Sequence, residues 1–311
     1  MPSPSSNNLW QHTLGRWLKP GRGAISAIPL LWLGLFFGLP FLIIVRISLS
    51  EAVIGLPPYS DLIQWVEGEL LPSRVRLYFA NFLLLWEDSL YLDALGNSVR
   101  VAAVSTLLCL LIGYPMALGI TRTRQNLRIP LLMLVILPFW TSFLIRVYAW
   151  IGILKDSGLI NNFLLGIGLI DQPLQLLYTN FAVYLGIVYA YLPFMILPLY
   201  ATLSRMDQRL LDAAADLGCR PIYAFWRVTV PLSLPGIVAG SLLVFVPAVG
   251  EFVIPDLLGG PDSLMIGKVL WSEFFSNRDW PVAAALAVAL LALLVVPVLV
   301  FERIRTKGQG A

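Results

Sequence analysis

Residues 211–236 read LDAAADLGCRPIYAFWRVTVPLSLPG, and this stretch decides how the rest of the chain is interpreted. It combines several charges with a helical pattern of apolar residues, and long apolar runs precede and follow it. Runs of that length are typical of helices that cross a bilayer, so the stretch is predicted to be a loop between two spans. An ordered, charged loop in a membrane protein indicates either a docking surface for another protein or a helix that lies on lipid headgroups.

A short helix is predicted at the start of this loop. Asp207 is placed to cap it, and residues 208–217 are good helix formers. Gly218 is placed to end it, because glycine adopts a positive φ without steric cost. The apolar residues of this helix share one face: Leu210, Leu211, Ala214 and Leu217.

A second short helix is predicted after a bend. Pro221 suits its first turn, and Pro231 and Pro235 are expected to close it. The alanines at 213–215 leave the first helix narrow, which suits insertion into the groove of a partner.

The spacing within the loop resembles the coupling loop of permeases in ATP-binding-cassette importers. In that family the loop has the form EAA, three residues, G, nine residues and I-x-L-P. Here the matching letters are DAA at 212–214, Gly218 and VTVP at 228–231, so Asp replaces Glu and Val replaces Ile and Leu. The resemblance implies that six residues couple the permease to an ATPase: Asp212, Ala213, Ala214, Leu217, Gly218 and Pro231.

Composition predicts an integral membrane protein. Hydrophobic residues make up 58% of the 311 residues and charged residues 13%, and the mean hydropathy is +0.81. A soluble globular chain carries about 25% charged residues. The basic residues lie at span boundaries and not on one patch, so no nucleic-acid binding is expected.

The cysteine and histidine content predicts neither a disulfide nor a histidine-based metal site, and no metal or cofactor is expected in this chain. Cys109 is predicted inside a span and Cys219 on the cytoplasmic side, so the two are not expected to pair. The single histidine, His12, leaves no histidine-based metal site.

Six apolar segments predict an all-α fold with six transmembrane helices: 28–49, 94–119, 129–153, 179–203, 234–255 and 281–301. Together they form a permease domain over 28–301, with a cytoplasmic loop at 204–233 and cytoplasmic tails at 1–27 and 302–311. With both termini inside, the cytoplasmic segments hold 13 of the 21 basic residues and 4 of the 18 acidic ones. Basic residues are enriched on the cytoplasmic side of membrane proteins, which supports this orientation.

Three further segments resemble permeases of spermidine/putrescine importers. They are FVPAVGEFVIPDLLGG at 245–260, RVYAW at 146–150 and GLIN at 158–161, and with the coupling loop the resemblance covers nearly all of residues 94–301. The resemblance implies a type I importer fold in the inner membrane of a bacterium. It also implies a second permease subunit, a pair of ATPase subunits, an external solute-binding protein and a small cationic amine as substrate.

ATP hydrolysis is expected to take place on another polypeptide, so this chain is predicted to be a non-catalytic translocation subunit. The nearest approach to a Walker A sequence, IGKV at 266–269, lacks the upstream glycine and the Ser or Thr that would hold Mg²⁺.

Two carboxylates are candidates for the substrate pathway. Glu251 is predicted in the outer part of the fifth span, beside Pro247, Gly250 and Pro255. Charged side chains inside a membrane usually face protein or water, and we expect Glu251, together with Asp256, to attract a protonated amine. The alternative is an interfacial carboxylate that reaches water or pairs with a basic residue.

One basic and three aromatic residues complete the candidate pathway. Arg146 is predicted to pair with a carboxylate such as Glu251, or else to extend toward the membrane surface. Tyr148, Trp150 and Tyr191 offer aromatic faces to an ammonium group, although aromatic residues near span ends also form membrane belts.

Other functions are also compatible with parts of the sequence. The substrate is alternatively an oxyanion or an amino-acid derivative, although the 14 carboxylates outside the cytoplasmic segments favour a cation. An intramembrane enzyme lacks support, because the sequence contains no His cluster and no G-x-S-x-G motif. A passive scaffold would not require an ordered cytoplasmic helix.

Overall fold

The computed structural model describes residues 22–64, 74–261 and 263–308. This part of the chain is mostly helical, and the all-α prediction holds apart from an antiparallel pair of two-residue strands, β1 (Ile63–Gln64) and β2 (Arg74–Val75). Most of the predicted N-terminal tail, residues 1–21, and residues 309–311 of the C-terminal tail lie outside the described residues.

The described part of the chain contains fourteen α-helices. The first are α1 (Arg22–Leu33), α2 (Leu39–Ser48), α3 (Ala80–Glu87), α4 (Ser89–Arg122), α5 (Gln125–Ile136), α6 (Phe143–Leu154) and α7 (Leu159–Gly166). The others are α8 (Asn180–Leu203), α9 (Arg209–Asp216), α10 (Pro221–Ala224), α11 (Val230–Val249), α12 (Val253–Leu258), α13 (Ile266–Trp271) and α14 (Trp280–Gly308). Segments of other helical types lie among them: π-helices at Gly34–Gly38, Phe225–Thr229 and Ser272–Asn277, and a 3-10 helix at Leu137–Trp140.

The chain divides into two compact units. One comprises Met1–Phe82 and Asp279–Val288, and the other comprises Leu83–Arg278 and Ala289–Ala311. In the first unit, the Asn81 side-chain amide donates to the backbone oxygens of Ser48 and Ser50 at 2.9 and 2.8 Å, which ties α3 to the end of α2.

The core of the second unit is formed by the long apolar helices α4, α8 and α11. Small residues allow these helices to approach one another closely, as in other membrane proteins. A Cβ atom on Gly240 would lie 2.8 Å from the Met195 sulfur, and one on Gly113 would lie 3.1 Å from the Met195 Cγ. The fully buried Met195 of α8 therefore fills the space that glycines leave on α4 and α11.

Among the described residues, four helices are long and apolar enough to cross a membrane: Ser26–Ser48, Ser89–Arg122, Asn180–Leu203 and Pro221–Val249. A bent pair, Gln125–Trp140 and Phe143–Gly166, makes a fifth if it counts as one span. A shorter apolar helix covers Trp280–Val295. Six spans and cytoplasmic ends remain predictions.

The predicted third span, 129–153, is divided by a sharp bend. The helices on either side of the break, Gln125–Trp140 and Phe143–Gly166, meet at 88°. Pro138 has no N–H group, and the Thr141 hydroxyl donates to the Pro138 carbonyl at 2.8 Å. Thr141 and Ser142 have ψ angles of 151° and 139°, so the helix stops there and restarts at α6.

In the region of the predicted fifth span, 234–255, the helix has other bounds than the prediction. The helix in this region runs over Pro221–Val249, and the chain breaks between Gly250 and Phe252 before α12 begins. The expectation that Pro231 and Pro235 close a short helix is wrong, because both lie inside α11. The π-helix Phe225–Thr229 comes directly before them, and a local π turn is one way in which membrane helices accommodate proline.

Candidate functional site

The 207–226 segment has the local structure that its sequence predicts. The Asp207 carboxylate accepts a hydrogen bond from the Arg209 N–H at 3.0 Å, as a helix cap does. Gly218 has a φ of +78°, which is the left-handed conformation that favours glycine.

Two backbone hydrogen bonds complete the end of α9. The Cys219 N–H donates to the Ala214 oxygen and the Gly218 N–H to the Ala215 oxygen, both at 2.9 Å. This pair of bonds is the Schellman arrangement, which satisfies the last carbonyl groups of a helix. The bend after α9 is therefore held by the backbone itself.

The 207–226 segment leaves large apolar side chains uncovered within this chain. Leu217 is 88% exposed, and Leu210 of the same predicted face is 47% exposed. Further exposed side chains follow the bend: Ile222, Tyr223 and Trp226. Exposed apolar surface of this kind marks an interaction site with protein or membrane.

The π-helix that follows is attached to the core of the second unit. Phe225 packs edge to face against Tyr114 of α4, with ring centroids 5.6 Å apart. The Tyr114 and Ser233 hydroxyls are hydrogen-bonded at 2.9 Å, and both residues are buried. The segment that carries the exposed side chains is thus joined to the long helices through α4 and α11.

A second candidate site is a cavity of about 410 Å³, which we call the aromatic cavity. Its lining comes from the 3-10 helix, α6, α8 and the break between α11 and α12. The lining residues are Phe139, Phe143, Arg146, Ala190, Tyr191, Phe194, Pro247, Gly250, Glu251, Phe252 and Val253. The bend at Thr141–Ser142 brings Phe139 and α6 to the same cavity.

Glu251 is the acidic group of this lining, and its side chain is held by hydrogen bonds from its own chain. The residue is 8% exposed. Its Oε2 accepts from the Tyr191 hydroxyl at 2.5 Å, and its Oε1 accepts from the backbone N–H groups of Val253 and Ile254 at 3.1 and 3.4 Å. Glu251 therefore caps α12 and binds α8 to it.

Arg146 lies over aromatic rings and not against Glu251. Its guanidinium carbon is 4.9 Å from the Phe139 ring centroid and 5.7 Å from that of Phe143. The buried Nε and Nη1 atoms have no hydrogen-bond partner among the described residues. The predicted ion pair between Arg146 and Glu251 is not formed in the part of the chain that the structure describes.

The other predicted pathway residues lie outside the aromatic cavity. Asp256 forms an exposed ion pair with Lys268 at 3.1 Å. Tyr148 is 58% exposed, and Trp150 packs edge to face against Tyr189 with centroids 5.4 Å apart.

Sequence reasoning missed the phenylalanines of the cavity. One signal for them is present in the sequence: Phe143 and Arg146 are three residues apart and therefore lie on one helix face. Phe139 and Phe194 carry no such signal, because only the bend and the packing of α8 bring them to the site.

Comparison with known proteins places these features in one family. A family model described as "binding-protein-dependent transport system inner membrane component" matches residues 11–304 of the chain. The chain is 44% identical to the spermidine/putrescine transport system permease protein PotB of Haemophilus influenzae, over 70% of this chain and 76% of that one. It is 43% identical to PotB of Escherichia coli, over 74% and 84% of the two chains.

The fold is similar to that of a bacterial ABC transporter involved in the import of the acidic polysaccharide alginate. The crystal structure of that transporter has a TM-score of 0.67 at 18% identity, over 97% of this chain and 99% of the other. These findings confirm the resemblance inferred from the coupling-loop spacing and identify a multi-pass translocation subunit of the inner membrane. The chain belongs to the family of binding-protein-dependent transport system inner membrane components.

Proposed function

We propose that this permease subunit imports polyamines such as spermidine and putrescine. The observation that carries the proposal is the identity of 43–44% to two spermidine/putrescine permeases over 70–74% of the chain. The likeness to the alginate transporter supports the fold alone, since only 18% of the residues are identical.

The aromatic cavity has the chemistry that an alkylammonium group requires. A cation is attracted to the faces of aromatic rings, and the cavity combines Phe139, Phe143 and Phe194 with the Glu251 carboxylate. We assign Glu251, Arg146 and Tyr191 to the substrate pathway. Asp256, Tyr148 and Trp150 stay predictions from the sequence.

We also propose that ATP hydrolysis on a partner subunit is coupled to transport through the 207–226 segment. Its exposed apolar side chains and its narrow α9 fit a groove on a cytoplasmic ATPase subunit, one of a pair. The complete importer would also contain a second permease subunit, surrounding lipid and an extracytoplasmic solute-binding protein. We propose six spans with both ends in the cytoplasm, an arrangement in which the segment would face the ATPase.

An anionic substrate is the second candidate, and Arg146 is the observation that favours it. Its buried Nε and Nη1 atoms are donors that no described residue accepts from, whereas the Glu251 oxygens already accept three hydrogen bonds. An oxyanion or a carboxylate would supply the missing acceptors.

Uptake by the reconstituted importer separates these candidates. The complete complex is placed in proteoliposomes with its binding protein, and ATP-dependent uptake of radiolabelled putrescine, spermidine, sulfate and glutamate is measured. The proposal expects uptake of the two amines only. Uptake of sulfate or glutamate without the amines would contradict it and would support the anion. Vesicles with the Leu217→Asp variant, whose ATPase contact is weakened, serve as the uncoupled control.

A further inference from the structure

We propose that the Arg146 guanidinium occupies the position over the aromatic rings where an ammonium group of the substrate would bind. In this position it excludes free cations from the aromatic cavity until the substrate displaces it. This inference rests on the proposed function, because it assigns a position to the ammonium groups of the substrate.

The first support is the way in which Arg146 is held. The guanidinium carbon lies 4.9 and 5.7 Å from the centroids of Phe139 and Phe143. Two of its three nitrogens, Nε and Nη1, are buried and have no hydrogen-bond partner among the described residues. Unpaired buried donors are costly, so this position of the guanidinium is stabilised by the two aromatic rings and not by hydrogen bonds from Nε or Nη1. A contact of that kind can be replaced by another cation.

The second support is the continuity of the aromatic lining. Phe139 packs edge to face against Phe194, with ring centroids 5.2 Å apart, and the ring centroids of Phe194 and Tyr191 are 6.1 Å apart. The Tyr191 hydroxyl in turn donates to Glu251. Aromatic side chains thus connect the position of the guanidinium with the carboxylate.

The third support is the remaining capacity of Glu251. A carboxylate has about four lone-pair sites, and three are used by Tyr191, Val253 and Ile254. The Oε2 atom accepts only the Tyr191 bond among the described residues, so it can accept one more from a ligand. A bound ammonium group therefore does not have to break the cap of α12.

The charges of Arg146 and Glu251 explain why free cations are excluded from the aromatic cavity in this proposal. With Arg146 in place, the +1 guanidinium offsets the −1 of Glu251 across the cavity, and a free monovalent cation gains little by entering. A ligand with two ammonium groups can place one over the rings and one at Glu251. A monovalent cation cannot do both, so it displaces Arg146 less well than a polyamine does.

The test is a leak measurement on the complete importer in proteoliposomes. Vesicles are loaded with radiolabelled tetramethylammonium, which carries a permanent charge and binds aromatic faces, and its efflux is followed without ATP. The Arg146→Gln variant is expected to raise the efflux about 5- to 30-fold, which corresponds to roughly 1–2 kcal/mol for a desolvated cation–π contact. Arg146→Lys keeps the charge and should stay within about twofold of the unmodified complex.

The matched control is Lys155→Gln. It removes a positive charge just after the end of α6, from a residue that does not line the aromatic cavity, and should leave the efflux unchanged. Equal efflux from the Arg146→Gln and unmodified complexes, with ATPase activity retained, would overturn the inference. If Arg146→Gln does not assemble, Phe139→Leu is used because it removes one of the two rings. Efflux from the Phe139→Leu complex that equals efflux from the unmodified complex would also overturn the inference.

The same vesicles keep this inference apart from the proposed function. Failure of the unmodified importer to take up putrescine with ATP would contradict the polyamine assignment. The tetramethylammonium leak does not depend on the identity of the substrate, and it would still decide the role of Arg146.

Discussion

The 207–226 segment and the aromatic cavity differ in how far apart along the chain their parts lie. The segment is built from hydrogen bonds between residues at most five positions apart, such as that between Cys219 and Ala214. The cavity joins Phe139, Tyr191 and Glu251, which come from three separate stretches. A local structure that exposes apolar side chains is suited to binding a partner, whereas the shape of the cavity depends on how its helices pack together.

The largest effect is expected where the exposed surface is made polar. Leu217→Asp places a charge on a side chain that is 88% exposed in this chain, so the fold is preserved. Losing the burial of one leucine against the proposed ATPase partner costs roughly 1.5–3 kcal/mol, which corresponds to about 10- to 150-fold weaker binding.

The affinity of the purified ATPase pair for the permease complex checks this expectation. Leu217→Met keeps an apolar side chain of similar volume and is the matched control. Unchanged ATPase binding by Leu217→Asp would mean that this surface faces lipid and that the 207–226 segment does not dock an ATPase subunit.

The local design of the segment is tested at its bend. Gly218→Val forces a β-branched residue to adopt the φ of +78°, at a cost of roughly 1–2 kcal/mol. We expect ATP-driven uptake to fall about 5- to 30-fold. Gly119→Ala is the control, because Gly119 lies inside α4 and a Cβ there meets no atom within 4 Å. Full activity in Gly218→Val would show that the bend is not required.

These two positions also show what the sequence predicts well. The end of α9 was predictable because a glycine after a run of helix formers is sufficient for it, and the positive φ of Gly218 confirms the prediction. The first, second and fourth predicted spans coincide closely with helices, since each is a continuous apolar run.

The breaks were not predictable from hydropathy. The residues around Thr141 and Ser142 are as apolar on average as a span requires, so hydropathy does not reveal the 88° bend. Pro231 and Pro235 were expected to end a helix, but the neighbouring π turn accommodates them. The partner of Arg146 was predicted from charge alone, and the nearby rings are contacted instead.

The cavity is tested by removing its charge while keeping its shape. Glu251→Gln retains an oxygen for the N–H groups that begin α12, but loses the charged acceptor of the Tyr191 hydroxyl. A hydrogen bond to a charged group contributes about 1.5 kcal/mol or more, so we expect putrescine uptake to fall about tenfold. Normal uptake by an assembled Glu251→Gln complex would remove Glu251 from the pathway.

The smallest effect is expected at Asp256. Its ion pair with Lys268 is exposed, and such pairs contribute about 0–1 kcal/mol. Asp256→Asn should therefore lower uptake less than about fivefold, and it serves as the charge-matched control for Glu251→Gln. A loss as large as that of Glu251→Gln would return Asp256 to the substrate pathway that the sequence predicts.

The most direct test of the central claim is the labelling of Cys219, which lies at the bend of the 207–226 segment. In a Cys109→Ala background, a membrane-impermeant maleimide should label Cys219 in inside-out vesicles and should not label it in intact cells. Addition of the ATPase pair to the vesicles should protect it. Labelling from outside intact cells would contradict the account, because the surface assigned to the ATPase would then lie on the wrong side of the membrane.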